Sequence, residues 1–357
     1  MNRAPGGHLS GLEMMRGLAA LAVVCHHIAQ QLVGNPLAGS AGGRLLLWLG
    51  GWGVIVFFVL SGFCIHGSVL KQSTTTAIEP DWRTYFARRA RRILPGYFAA
   101  LGLSLVAGSM ASTALISAPT TAGVLTHLTF TSGFTHDTAL QINCVLWTVV
   151  VEVQFYALYP LFIGLRNRLG IAGFTLLLVS ISMAIKLAGR SWFDAEERWT
   201  WHHLFLNLWW VWALGAWLAE VHAGRSRAWL GLRWLKNTPV AVAVIIASLV
   251  LGMVDGQRWH TLWLVVESYA LPVLATGVVG AMVFSPLGQG RVPVMEALGR
   301  WSYSLYLFHP LALWGCWQLA EQRASAKLVV AMLVSSGLLA ALGYRLVERP
   351  FQARRAT

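Results

Sequence analysis

The chain has 357 residues, of which 56% are hydrophobic and 11% are charged. A soluble domain carries about 25% charged residues, so this deficit, with a mean hydropathy of +0.59, excludes a soluble globular class and points to a polytopic membrane protein. The formal net charge of +13 does not signal nucleic acid, because a basic groove needs a soluble surface to present it; excess Lys and Arg in a membrane protein mark cytoplasmic loops.

About 20 apolar residues cross a bilayer as a helix. This rule predicts ten spans, at 12–33, 45–69, 93–112, 145–165, 170–188, 202–222, 238–254, 261–284, 299–320 and 328–347. The first follows Arg16 and has no small-residue cleavage site behind it, so it reads as a retained span. With the N-terminus in the cytoplasm, only Arg44, Lys186, Arg190, Arg198, Arg258, Arg323 and Lys327 fall in outer segments, against 20 basic residues in inner ones. That bias supports ten crossings with both termini cytoplasmic. Segment 111–143 contains no Lys or Arg, as an outer loop should. The expectation is an all-α polytopic membrane protein, one integral domain over 1–357, in the cytoplasmic (inner) membrane. Cys25, Cys64, Cys144 and Cys316 form no Cys-x-x-Cys pair, so they read as small buried hydrophobes, and no metal site is expected.

Ionisable residues inside spans are costly and mark function. In span one, Arg16 and His27 are eleven residues apart; at about 100° per residue they share a helix face, about 16 Å apart along the axis. His27 lies about 22 Å up a 30 Å core, and Glu152 in span four about 10 Å below its outer end. The two are therefore expected at one depth, where the carboxylate would fix the imidazole tautomer and raise its basicity. At the inner end of span three, Arg88, Arg89, Arg91 and Arg92 suit bidentate phosphate binding or anchoring to lipid headgroups. Ser61-Gly62 in span two permits close helix approach. Span nine brings Tyr303 and His309 to mid-membrane. Glu267 and His202–His203 are weaker candidates near the outer face, and Trp199, Trp201, Trp209, Trp210, Trp212 and Trp217 either form an interfacial belt or offer faces to a sugar ring.

Six segments in order resemble the membrane acyltransferase family 3, the integral membrane O-acyltransferases of surface glycans. They are Leu12–Leu21 through His27, Phe57–Phe63, Arg88–Pro95, Trp147–Tyr156 with Tyr159-Pro160-Leu161, Ser302–Pro310, and Glu348–Phe351. Departures are small: Glu13-Met14 stands for the usual Asp-Gly, and Thr148 for Ser. The resemblance implies an acyl-CoA donor, usually acetyl-CoA, and a hydroxyl acceptor on a sugar or glycan. It places the family's essential histidine and arginine at His27 and Arg16 and its acidic residue at Glu152. On this reading Arg88, Arg89, Arg91 and Arg92 hold the CoA phosphates and Arg16 the donor arm. His27 acts as general base or carries the acyl group, and Glu152 orients it. Ser61, Tyr303 and His309 are the candidate substrate-binding groups. A proton-coupled glycan or lipid transporter, a succinyl or other acyl donor, and a macrolide-type acceptor stay open at this point.

Overall fold

The computed structural model describes residues 10–33, 40–73, 77–192, 200–226, 235–251, 266–290 and 292–352. Among them, every regular element is helical. The main helices are α1 (Ser10–Val33), α2 (Ala41–Leu70), α3 (Trp82–Met110), α4 (Thr121–Leu128), α5 (Leu146–Ala157), α6 (Tyr159–Trp192), α7 (Phe205–His222), α8 (Thr238–Leu251), α9 (Leu271–Phe284), α10 (Pro293–Arg300), α11 (Ser302–Leu319) and α12 (Ala326–Gly343). Among the described residues, six helical stretches are long and apolar enough to cross a membrane: Ser10–Leu32, Gly42–Leu70, Trp82–Met110, Tyr159–Gly189, Thr200–His222 and Ala326–Gln352. Shorter apolar helices occupy Leu146–Ala157, Thr238–Leu251 and Ser268–Phe284. The protein is thus a helical multi-pass membrane protein.

The apolar composition of α2 leaves no polar face, so this helix sits inside the bundle, packed between α1 and α7. Small residues set the α2–α7 distance. A Cβ added at Gly62 would lie 2.0 Å from the Trp212 carbonyl oxygen, and one at Gly215 would lie 2.0 Å from that of Val59. The Ser-Gly step in α2 therefore does what close helix packing in lipid requires. Asp81 caps α3 by accepting from the Thr84 amide at 3.2 Å, which starts the helix just ahead of its arginine run.

The segment between α3 and α5 is not a simple outer loop. Leu115, Ile116, His127, Ile142 and Asn143 are all buried within it. Ile142 has φ of +69°, a left-handed conformation that β-branched residues rarely adopt. Its amide donates to the Ser117 hydroxyl at 2.9 Å, and its carbonyl accepts from the Ser117 amide. Asn143 then reaches from the turn to the Ser104 hydroxyl and the Leu307 carbonyl. These bonds draw the start of α5 into the bundle. His127 lies outside the crossing helices, and burial holds its imidazole below the usual histidine range.

Candidate active site

α1, α2, α3, α5 and α11 surround a cavity of about 270 Å³ on the arginine-rich side of the bundle. Arg16, Ser61, Arg89, Arg92, Glu152 and Tyr303 line it. A second cavity, of about 520 Å³, lies on the other side and is lined by His26, His27, Cys144, Trp147, Lys186 and His203, among others. Arg16 and His27 thus share one helix but serve different chambers. Their predicted separation of about 16 Å spans the wall between the two.

His27 is held in a way that fixes its protons. The Nδ1 of His309 lies 3.0 Å from the Leu305 carbonyl. A carbonyl only accepts, so this nitrogen carries the hydrogen, and Nε2 of the neutral His309 ring is an acceptor. That acceptor lies 2.8 Å from His27 Nδ1, which must therefore donate. The lone pair of His27 is left on Nε2, 3.7 Å from the Cys144 sulfur. This is the tautomer a general base needs. The side chain that faces Nδ1 is thus another imidazole, not a carboxylate.

The expected pairing of His27 with Glu152 is corrected accordingly. The Glu152 carboxylate accepts from Ser61 Oγ at 2.8 Å and from the Tyr156 hydroxyl, and it borders the arginine-side cavity. The depth argument placed α5 at the outer membrane surface. Because the preceding segment folds inward, Cys144 already stands level with His27. Glu152, eight residues further on, sits roughly 12 Å closer to the arginine side.

The four arginines also divide. Arg89 and Arg92, three apart on one helix face, line the cavity, whereas Arg88 and Arg91 are exposed beside it. The expectation that all four converge on one ligand is corrected by this helical spacing. The Nε of Arg89 is buried without a hydrogen-bond partner, and its guanidinium lies 6.0 Å from the Tyr156 ring centre. Arg16 donates to Glu13 and to the Cys64 sulfur at 2.9 Å.

Two further candidates have their protons engaged. Tyr303 donates to the Ile93 carbonyl at 2.7 Å, and Ser61 donates to Glu152 while accepting from Trp212 Nε1 at 3.2 Å. Neither is disposed to donate to a substrate oxygen. Trp209, Trp210 and Trp212 are buried in the core, so the tryptophan cluster does not present a common sugar-stacking face. Trp199 and the Glu267 side chain lie outside the described residues. Among the described residues, no group of three or more His, Cys, Asp or Glu is placed to hold a metal ion.

Residues 9–344 match the family described as the acyltransferase domain of acyltransferase family 3. The chain belongs to that family. As an acyltransferase it is similar to Nodulation protein 10 of Rhizobium leguminosarum bv. viciae, 25% identical over all of this chain and 96% of the relative. It is also similar to the exopolysaccharide production protein ExoZ of Rhizobium meliloti (strain 1021), 29% identical over 87% of this chain and 93% of the relative. A Staphylococcus aureus (strain COL) protein named as a candidate O-acetyltransferase is 22% identical over 97% of this chain and 57% of its own length. No solved structure matches this acyltransferase significantly.

Sequence reasoning missed one buried ionic cluster of the acyltransferase. His66 lies 2.9 Å from the Tyr159 hydroxyl and 3.0 Å from Glu220, which also accepts from Arg166 Nε at 2.6 Å. Its members are far apart in the chain, so only the ionisable residues within apolar runs signalled it. All four side chains are engaged with one another, which fits a clamp between α2, α6 and α7.

Proposed function

We propose that the protein transfers an acyl group, specifically acetyl, from acyl-CoA to a hydroxyl of an envelope glycan or lipid-linked sugar in the cytoplasmic membrane. The observation that carries this reading is the pair of chambers meeting inside one bundle: one lined by three guanidinium groups and the Glu152 carboxylate, the other by imidazoles, an indole, two amides and the Lys186 ammonium. The proposal includes ten crossings with both termini inside, the topology that the distribution of Lys and Arg supports; in that orientation the arginine chamber faces the cytoplasm, where CoA is made available, and the histidine chamber faces the envelope.

In this reading Arg89 and Arg92 hold CoA phosphate, Arg16 steadies the pantetheine arm, and the exposed Arg88 and Arg91 rest on lipid headgroups. Glu152 anchors Ser61 and Tyr156 along the donor path and does not serve the base. The acceptor hydroxyl enters the histidine chamber and gives its proton to His27 Nε2 while its oxygen attacks the thioester carbonyl. The carbon–sulfur bond breaks, and the departing thiolate recovers the proton from the imidazolium. His309 keeps the ring oriented throughout. Mass spectrometry of envelope glycans from cells with and without the gene tests the proposal. The expected result is an added acetyl mass that depends on the gene; identical glycans overturn it.

A further inference from the structure

The two chambers share one wall. Among the described residues lining them, only Val54 and Tyr306 border both. Tyr306 is 7% exposed, and three contacts hold its phenol across the gap. Its hydroxyl lies 2.7 Å from Thr148 Oγ1. Phe57, on the arginine side, meets its ring edge-on at 5.7 Å. His309, the partner of His27, stands 6.2 Å from the ring on the other side. Thr148 borders the arginine chamber, and its own oxygen also lies 2.9 Å from the Val145 carbonyl. The latch is therefore tied into the first turn of α5, directly after Cys144.

A donor entering past Arg89 and Arg92 meets this wall before it reaches His27. We propose that Tyr306 is the acyl-selecting gate of the enzyme: latched on Thr148 it separates the chambers, and swung off it opens a port beside Val54 that passes only a short acyl group. This rests on the acyl-CoA reading above. Two independent physical points support it. Dense packing leaves a side chain few alternatives to discrete rotamer positions, so a single hydroxyl–hydroxyl contact can act as a two-state latch. A hydrophobic passage lined by an aromatic ring and a valine discriminates by bulk, each extra methylene being worth about 1–3 kcal/mol, or roughly 10- to 200-fold.

The protein carries its own reporters for the test. Cys64 lines the arginine chamber and Cys144 the histidine chamber. A charged, membrane-impermeant methanethiosulfonate is added from the arginine side of sealed vesicles, and the modified cysteines are identified by peptide mass spectrometry. The wild type should be modified at Cys64 and not at Cys144. Tyr306→Ala, which removes the wall, should expose Cys144 from that side. In parallel, the ratio of butyryl to acetyl transfer from the two CoA thioesters should rise at least tenfold in Tyr306→Ala. It should stay near the wild-type ratio in Tyr306→Phe, which keeps the ring. Should Tyr306→Ala fail to accumulate, Val54→Ala widens the same port and is read in the same way. Unchanged Cys144 labelling, or an unchanged acyl ratio, in Tyr306→Ala (or in Val54→Ala where it stands in) at wild-type abundance overturns the gate, as does a ratio that rises as much in Tyr306→Phe as in Tyr306→Ala. Wild-type membranes that transfer no acyl group from either thioester instead overturn the proposed function, and the labelling still decides whether Tyr306 separates the chambers.

Discussion

Replacing His309 tests the proton arrangement at the site. In the native protein His309 Nε2 accepts from His27 Nδ1 at 2.8 Å, and the Leu305 carbonyl fixes which His309 nitrogen is free to accept. His309→Leu removes the acceptor and leaves the buried His27 N–H without this partner. Such a loss costs about 1–3 kcal/mol, and part of the ring population moves its lone pair to the wrong nitrogen. At about 1.4 kcal/mol per tenfold, turnover should fall about 5- to 150-fold, with little change in the KM for acyl-CoA, whose chamber His309 does not line. His309→Gln offers an amide oxygen in place of Nε2 and should recover much of the loss. The assay is initial-rate acyl transfer in membranes with protein abundance matched by immunoblot. Turnover within twofold of wild type in His309→Leu, or a Gln variant no better than the Leu variant, would refute the tautomer argument.

Other outcomes follow from packing and charge. Reversing the charge of Arg89 or Arg92 should raise the KM for acyl-CoA at least tenfold, whereas reversing Arg88 or Arg91 should leave it within about threefold, by analogy with buried and exposed ionic contacts; equal effects would remove the distinction between the two pairs. Gly62→Ala forces a Cβ against the Trp212 carbonyl and should destabilise by at least about 1–3 kcal/mol, seen as a lower melting temperature in detergent. Gly102→Ala, with open space around it, serves as the neutral control. The depressed His127 ionisation means the unfolded chain takes up a proton near pH 6.5 before the native one does. This stabilisation is complete above that pH and is lost as pH falls below it, by at most about 1.4 kcal/mol per unit. The melting temperature of His127→Gln should fall less steeply than that of wild type between pH 7 and pH 5.

The helical periodicity of the chain made much of this site legible and left its partnerships hidden. Arg16 and His27 stood out because they interrupt an apolar run at a spacing that returns to one face. The same spacing contained the division between chambers, since three turns of helix exceed the reach of any one side chain. The split of Arg89 and Arg92 from Arg88 and Arg91 was also present in the 3.6-residue repeat, hidden by treating the run as a block of charge. Glu152 was misplaced for a tertiary reason: its depth depends on the inward fold that ends at Ile142 and Asn143, which apolar length alone does not report. The His27–His309 and His66–Glu220 pairs join residues 282 and 154 positions apart, and nothing local in either segment specifies the other.

The central claim is that His27 accepts the proton when an acyl group delivered from the arginine side meets a hydroxyl on the other. The most direct measurement adds radiolabelled acetyl-CoA to sealed vesicles with the arginine side outward and follows label into the enclosed acceptor, in wild type and in His27→Ala at equal abundance. The account predicts enclosed, ester-linked label in wild type and a loss of at least a hundredfold in the variant. Enclosed label at wild-type rates in His27→Ala would contradict it.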